Sequence, residues 1–234
     1  IYADNKNLSC FFVESILGCG GQIILPPTYL KEIFKFVRKK NALCIVDEVQ
    51  TGFGRVGKYF WGFQEHEVIP DIITLGKPMG NGHPIAAVVT TKEIANVFNN
   101  GMEYFNSFGG NPVSCAVGNA VLEVIKNEKL QNHAQFVGNY FLKSLKILQK
   151  KYSQRISEVR GRGLFLGIDI VNEKNNLPDS KLASRIINNM RDSGILISID
   201  GPYNNVIKIK PPMPFNKNNV DFFIDIFEGN IIKL

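Results

Sequence analysis

Four short apolar runs, Phe11 to Val13, Ala42 to Val46, Ile72 to Leu75 and Ile85 to Thr90, are strand-sized and are separated by stretches with helical or irregular texture. This alternation constrains the chain more than any other feature. Neighbouring strands that run the same way need a long crossover, and a helix supplies it, so the pattern predicts an α/β fold with a mainly parallel sheet. Between the first two runs Tyr29, Leu30, Ile33, Phe34 and Val37 recur at three and four residues. Thr28 stands where a cap belongs, and Arg38-Lys39-Lys40 suits the negative end of the helix dipole. The result is one βαβ unit.

Further on, Asn111-Pro112 reads as a cap followed by proline at the first helical position, and the helix continues through Ala116, Ala120 and Ile125. A long amphipathic segment, residues 128–152, is expected to bridge to a second unit. From there the texture shortens: strands at Leu164 to Val171, Ile195 to Ile199 and Val206 to Ile209 alternate with helices at Ser180 to Ser193 and Val220 to Glu228. Gly194 is placed to stop the first of these helices. The expected division is therefore 1–127, a bridging helix over 128–152, and a smaller α+β domain over 153–234.

With 234 residues, 44% of them hydrophobic, the chain is long enough to bury a core. It begins at Ile1 and reads as a fragment. No run approaches the roughly 20 apolar residues of a membrane span. A net charge of +6, dispersed among acids and asparagines, does not form a nucleic-acid footprint. Cys10, Cys19, Cys44 and Cys115 lack metal-ligand spacing, and neither they nor His66, His83 and His133 suggest a metal. Reduced packing cysteines and an intracellular setting are expected.

The chemistry gathers where two of the apolar runs end. In open α/β sheets, loops at the carboxyl ends of strands converge on a crevice, and both Asp47 and Lys77 fall there. A lysine in that position can form an imine with a cofactor aldehyde, and a strand-end acid can hold a pyridine nitrogen protonated. Together they point to pyridoxal 5'-phosphate (PLP). Val49 would pack on the ring and Gln50 would reach its phenolic oxygen. Pro78 is expected to keep Lys77 extended, with Gly76, Gly80 and Gly82 allowing close backbone approach and Leu75 and Met79 desolvating the amine. The plainer readings are a loop lysine, and an Asp47 that caps a helix or pairs with Arg55.

Three ordered stretches, Asp47-Glu48-Val49-Gln50-Thr51-Gly52-Phe53-Gly54-Arg55, Thr74-Leu75-Gly76-Lys77 and Ser107-Phe108-Gly109-Gly110-Asn111-Pro112, resemble the signatures of class III aminotransferases of PLP fold type I. The resemblance implies that 1–127 is the C-terminal part of the PLP-binding large domain and that the small domain follows. It also implies that Lys77 carries the cofactor and moves the substrate proton, that Asp47 binds the pyridinium nitrogen with Val49 and Gln50 beside the ring, and that Ser107 donates to the cofactor phosphate of a neighbouring subunit. A homodimer, or a tetramer, with shared active sites follows from the last role. A mitochondrial or cytosolic location is expected.

In ω-amino acid transaminases of this class an arginine precedes the Ala-Pro-Pro segment and clamps a carboxylate, paired with a glutamate from an earlier loop. Here the matching positions are Lys208, in Lys208-Ile209-Lys210-Pro211-Pro212, and Cys19. Together with Asp200-Gly201-Pro202 this resembles the branch containing ethanolamine-phosphate and 5-phosphohydroxylysine phospho-lyases. The implied substrate is a phosphorylated amine, with Lys208 and Lys210, two apart on a strand, either holding its phosphate or lying on a solvated face. The alternatives are a transaminase and a non-catalytic fragment that retains the fold. The family's N-terminal glycine-rich phosphate loop has no counterpart here, so the fragment by itself is expected to bind PLP poorly.

Overall fold

The computed structural model describes residues 8–233. In chain order the elements are β1 (Cys10–Glu14), β2 (Ile16–Leu17), β3 (Ile23–Ile24), α1 (Tyr29–Lys39), β4 (Leu43–Asp47), β5 (Ile72–Leu75), β6 (Ala87–Thr90), α2 (Lys92–Phe98) and α3 (Pro112–Asn127). There follow α4 (Leu130–Lys151), β7 (Ile156–Arg162), β8 (Phe165–Ile170), α5 (Ser180–Asp192), β9 (Ser198–Asp200), β10 (Val206–Ile209) and α6 (Lys217–Lys233). Short 3₁₀ turns occupy Gly62–His66 and Lys77–Met79. The chain divides into two compact units.

The first unit comprises the described residues up to Ser15, Leu25–Phe53 and Trp61–Lys129. Its sheet has the order β1-β4-β5-β6. Strands β1, β4 and β5 are parallel and β6 returns antiparallel to β5, so the sheet is mixed. Helix α1 buries Leu30, Phe34 and Val37 beneath β4, as the spacing of those residues requires. Its end is fastened by Arg38, whose guanidinium pairs with Asp71 at 3.0 Å. Thr28 holds the cap position but has helical backbone angles (φ −95°, ψ −9°), and its side chain makes no capping bond. At α3 the expectation is met in full: Asn111 accepts from the Ser114 amide and Pro112 opens the helix.

The second unit comprises the described residues from Leu130 onward with two pieces of the first half, Ile16–Ile24 and Gly54–Phe60. The sheet order is β7-β8-β10-β9, antiparallel throughout. Helices α4, α5 and α6 cover one face around Phe141, Leu145, Ile168, Ile186, Met190, Ile207, Phe223 and Phe227. The expected bridging helix thus belongs to this unit, because its apolar stripe is part of this core. The two earlier pieces join it because Ile16 and Val56 bury against Phe165. Gly138 of α4 lies so close to the turn at Gly163 that a methyl on it would stand 2.2 Å from the Gly163 carbonyl oxygen. No larger residue fits there.

Strand β7, Ile-Ser-Glu-Val-Arg-Gly-Arg, has no counterpart among the sequence expectations, since its polar residues and a register shift near Ile156 and Glu158 hide the alternation. The cysteines also differ from expectation: Cys44 is buried, but Cys10, Cys19 and Cys115 are exposed and fill no core. Among the described residues no helix is long and apolar enough to cross a membrane.

Candidate active site

The parallel register sets Glu14, Asp47 and Thr74 side by side across the ends of β1, β4 and β5. Lys77 follows Thr74 by three residues. Asp47 is half-buried. Its Oδ1 accepts from the Val49 amide at 2.8 Å, and among the described residues Oδ2 has no hydrogen-bond partner. The next amide, of Glu48, donates to the Thr74 carbonyl at 3.0 Å and so ties the loop after β4 to the end of β5. Gln50 is buried and its Nε2 lies 3.5 Å from Glu14 Oε2, the outer limit of a hydrogen bond. The Thr74 hydroxyl is buried without a partner among the described residues.

Lys77 departs from the extended geometry expected before proline. Its φ is +37°, a left-handed value that costs a non-glycine residue free energy. Its side chain is exposed, so Leu75 and Met79 do not bury the amine as expected. The glycines around it differ in kind. Gly80 is imposed by packing, because a methyl there would come within 2.0 Å of the His83 carbonyl oxygen. Gly76 is extended, and a methyl on it would meet Val49 Cγ2 at an ordinary 3.6 Å. Neither space nor backbone demands glycine at 76.

Under this loop sits Glu48, which has no exposed surface. Its Oε1 accepts from Ser15 Oγ at 2.6 Å and the Phe63 amide at 2.9 Å. Oε2 accepts from Thr51 Oγ1 at 2.9 Å and the Gly62 amide at 2.8 Å. Burial pushes this carboxyl above its ordinary range while the four donors pull it back. Sequence reasoning passed over Glu48. Its signal was an acid directly after an apolar strand with threonine three residues on.

Of the remaining candidates, Ser107 belongs to the first unit and Lys208 and Lys210 to the second. Ser107 is exposed in the segment 99–110, where Met102, Tyr104, Phe105 and Phe108 are each at least 71% exposed. Lys208, in the second unit, is not free: its ammonium pairs with Asp200 at 2.8 Å, and Asp200 also accepts from Gln22 at 2.9 Å. Lys210 stands over the Phe165 ring, 5.5 Å from its centroid. Arg55 does not take up the plainer role of a carboxylate partner. It is buried and donates to the main-chain carbonyls of Leu164 and Pro211, at 3.1 and 2.8 Å, and burial lowers its pKa to about 10. Among the described residues no cluster of metal-ligating side chains occurs.

With strand-end acid, strained lysine and ordered motifs in place, comparison with known proteins gives the class. Residues 2–231 match the family model of class-III aminotransferases, and the chain belongs to that family, an enzyme family of PLP-dependent aminotransferases and lyases. Alanine--glyoxylate aminotransferase 2-like of Drosophila melanogaster is 48% identical over 225 residues, which is 95% of this chain and 45% of that protein. Ethanolamine-phosphate phospho-lyase homolog 1 of Caenorhabditis elegans is 48% identical over 217 residues, 91% of this chain and 46% of that protein. The solved structure of a phospholyase from Arthrobacter in complex with phosphoethanolamine superposes with a TM-score of 0.94 at 41% identity, covering 97% of this chain and 54% of that one. The chain spans about half the length of the curated relatives it matches.

Proposed function

We propose that these residues serve a PLP-dependent phospho-lyase that removes phosphate and ammonia from a phosphorylated amine such as ethanolamine phosphate or 5-phosphohydroxylysine. One water enters, and phosphate, ammonia and an aldehyde leave. When bound, the cofactor supplies an electron sink for the charge left by a departing substrate proton. The donor set suits it: Asp47 Oδ2 is an acceptor without a partner among the described residues, as a pyridinium N–H requires. Val49, in reach of Gly76, offers an apolar wall for the ring, and Gln50 an amide for its hydroxyl. Lys77 Nζ would hold the cofactor covalently and then accept the substrate proton. The strain at Lys77 supports a role beyond that of a loop residue.

The observation that carries elimination over amino transfer lies at Lys208. An ammonium already paired with Asp200 offers no planar fork for a substrate carboxylate, and an amine bearing a phosphate ester needs none. That pairing also leaves a role for Lys208 and Lys210 in holding the phosphate to be tested rather than assumed. A transaminase remains the second reading, favoured by the name of the Drosophila relative. The exposed apolar side chains around Ser107 support a homodimer in which Ser107 reaches a neighbouring subunit's cofactor phosphate.

Phosphate release from ethanolamine phosphate or 5-phosphohydroxylysine with no keto acid present is the expected result. Strict dependence on pyruvate or glyoxylate would sink the lyase reading. Lys77→Ala is expected to abolish borohydride-trapped cofactor and to lower kcat by about 10²-fold or more.

A further inference from the structure

Glu48 is buried and titratable, and the proposed chemistry does not use it. Its four donors come from the end of β1 (Ser15), from its own turn (Thr51) and from the start of the 3₁₀ turn at 62 (Gly62 and Phe63). The fit is tight: a methyl on Gly62 would lie 2.9 Å from Ser15 Cβ and 3.0 Å from Thr51 Cβ. Its main chain is held as well, with the Glu48 amide on Thr74 and its carbonyl accepting from Gly52 at 2.9 Å. Asp47, Val49 and Gln50 therefore leave a loop whose central residue is fixed at both main chain and side chain. The two main-chain donors cannot reverse direction, so each carboxylate oxygen is committed.

We infer that Glu48 is a positioning residue that sets the direction of the Asp47 carboxylate toward the cofactor's ring nitrogen. The inference rests on the proposed PLP role of Asp47 and Lys77. An anchored loop fixes Asp47 through two devices, the Val49 amide on Oδ1 and the Glu48 amide on Thr74, and both depend on residue 48 staying in place. Glu48 itself need not touch the cofactor.

The test uses the PLP-loaded protein, with three readouts: borohydride-trapped label on Lys77, the pH midpoint of the bound cofactor's absorbance, and amide hydrogen exchange at Gly62 and Phe63. Asp47→Asn serves as the reference for a lost contact with the ring nitrogen. Glu48→Gln keeps the shape but sets an N–H₂ against donors. It is expected to speed exchange at Gly62 or Phe63 at least about tenfold and to move the absorbance midpoint at least halfway to that of Asp47→Asn. Should that variant fail to fold, Ser15→Ala and Thr51→Val each remove one donor and are expected to give smaller shifts in the same direction. Faster exchange with an unmoved midpoint, in Glu48→Gln or in both milder variants, would overturn the inference and leave Glu48 a structural residue only. In a protein of its relatives' full length, a wild type without label on Lys77 would instead overturn the PLP reading itself, and the inference with it.

Discussion

The loop after β4 and the β9–β10 hairpin both place charged side chains out of full contact with water, and they satisfy them in opposite ways. In the first, an acid is surrounded by neutral donors: Glu48 takes two hydroxyls and two amides and, among the described residues, pairs with no cation. In the second, charges of opposite sign meet directly. Asp200 holds Lys208, and on the neighbouring strands the buried Arg160 holds Glu158 at 2.7 Å and Asp169 at 3.1 Å while donating to the Gly21 carbonyl at 2.8 Å. A nest of dipoles fixes an acid without consuming any other charged group, and among the described residues the adjacent Asp47 keeps a carboxylate oxygen without a partner, as its proposed role requires. Ion pairing uses up its partners. The first arrangement suits a loop that serves a cofactor, and the second suits a hairpin that holds itself together.

The largest expected effect lies at Glu48. Alanine there strands two main-chain amides and two hydroxyls in a dry site, and the expected loss is about 3–5 kcal/mol, read as a lowered urea midpoint. A loss below about 1 kcal/mol would mean that water reaches the nest, and the contrast with the hairpin would fail. A smaller effect is expected at the ion pair. Asp200 and Lys208 are each 17% exposed, so the pair is neither freely screened nor fully desolvated. A double-mutant cycle with Asp200→Asn and Lys208→Met should give a coupling of about 1 kcal/mol. Zero coupling would return Lys208 to the pool of free cations and strengthen a phosphate-binding role for it.

What the sequence disclosed about these regions follows from how far each cause reaches along the chain. The strand-end places of Asp47 and Lys77 were legible because each closes or follows an apolar run, and the Asn111-Pro112 cap was legible because its bonds close within three residues. Glu48 was not, since three of its donors lie at residues 15, 62 and 63, brought in by the parallel sheet and the 3₁₀ turn. Lys208 was visible as a cation, whereas its partner was not. Lys77 misled in a different way: the restraint that proline places on its predecessor favours an extended residue, and tertiary structure overrode it with φ +37°. The same limit hid the membership of Ile16–Ile24 and Gly54–Phe60 in the second unit, which depends on burial against Phe165.

Strand β4, which also carries a buried group, supplies the smallest expected effect. Cys44 is fully buried; its sulfur makes a long 4.0 Å contact to the Phe34 carbonyl, and its thiol also interacts with the Asp71 side chain. Burial, opposed by Arg38 and reinforced by Asp71, pushes its thiol up to about 11 from an ordinary 9.0. Between those two values the unfolded chain has lost the proton and the folded chain keeps it. The unfolded state then binds fewer protons, so the stability contributed by Cys44 is complete below pH 9 and is lost as pH rises through about 11. Tyrosines and lysines titrate in the same range, so the informative quantity is the difference between wild type and Cys44→Ala. That difference should be constant below pH 9 and should shrink above it. A difference that holds steady to pH 11 would show the thiol to be solvated after all, and would place Cys44 with the nest of dipoles at Glu48 rather than against it.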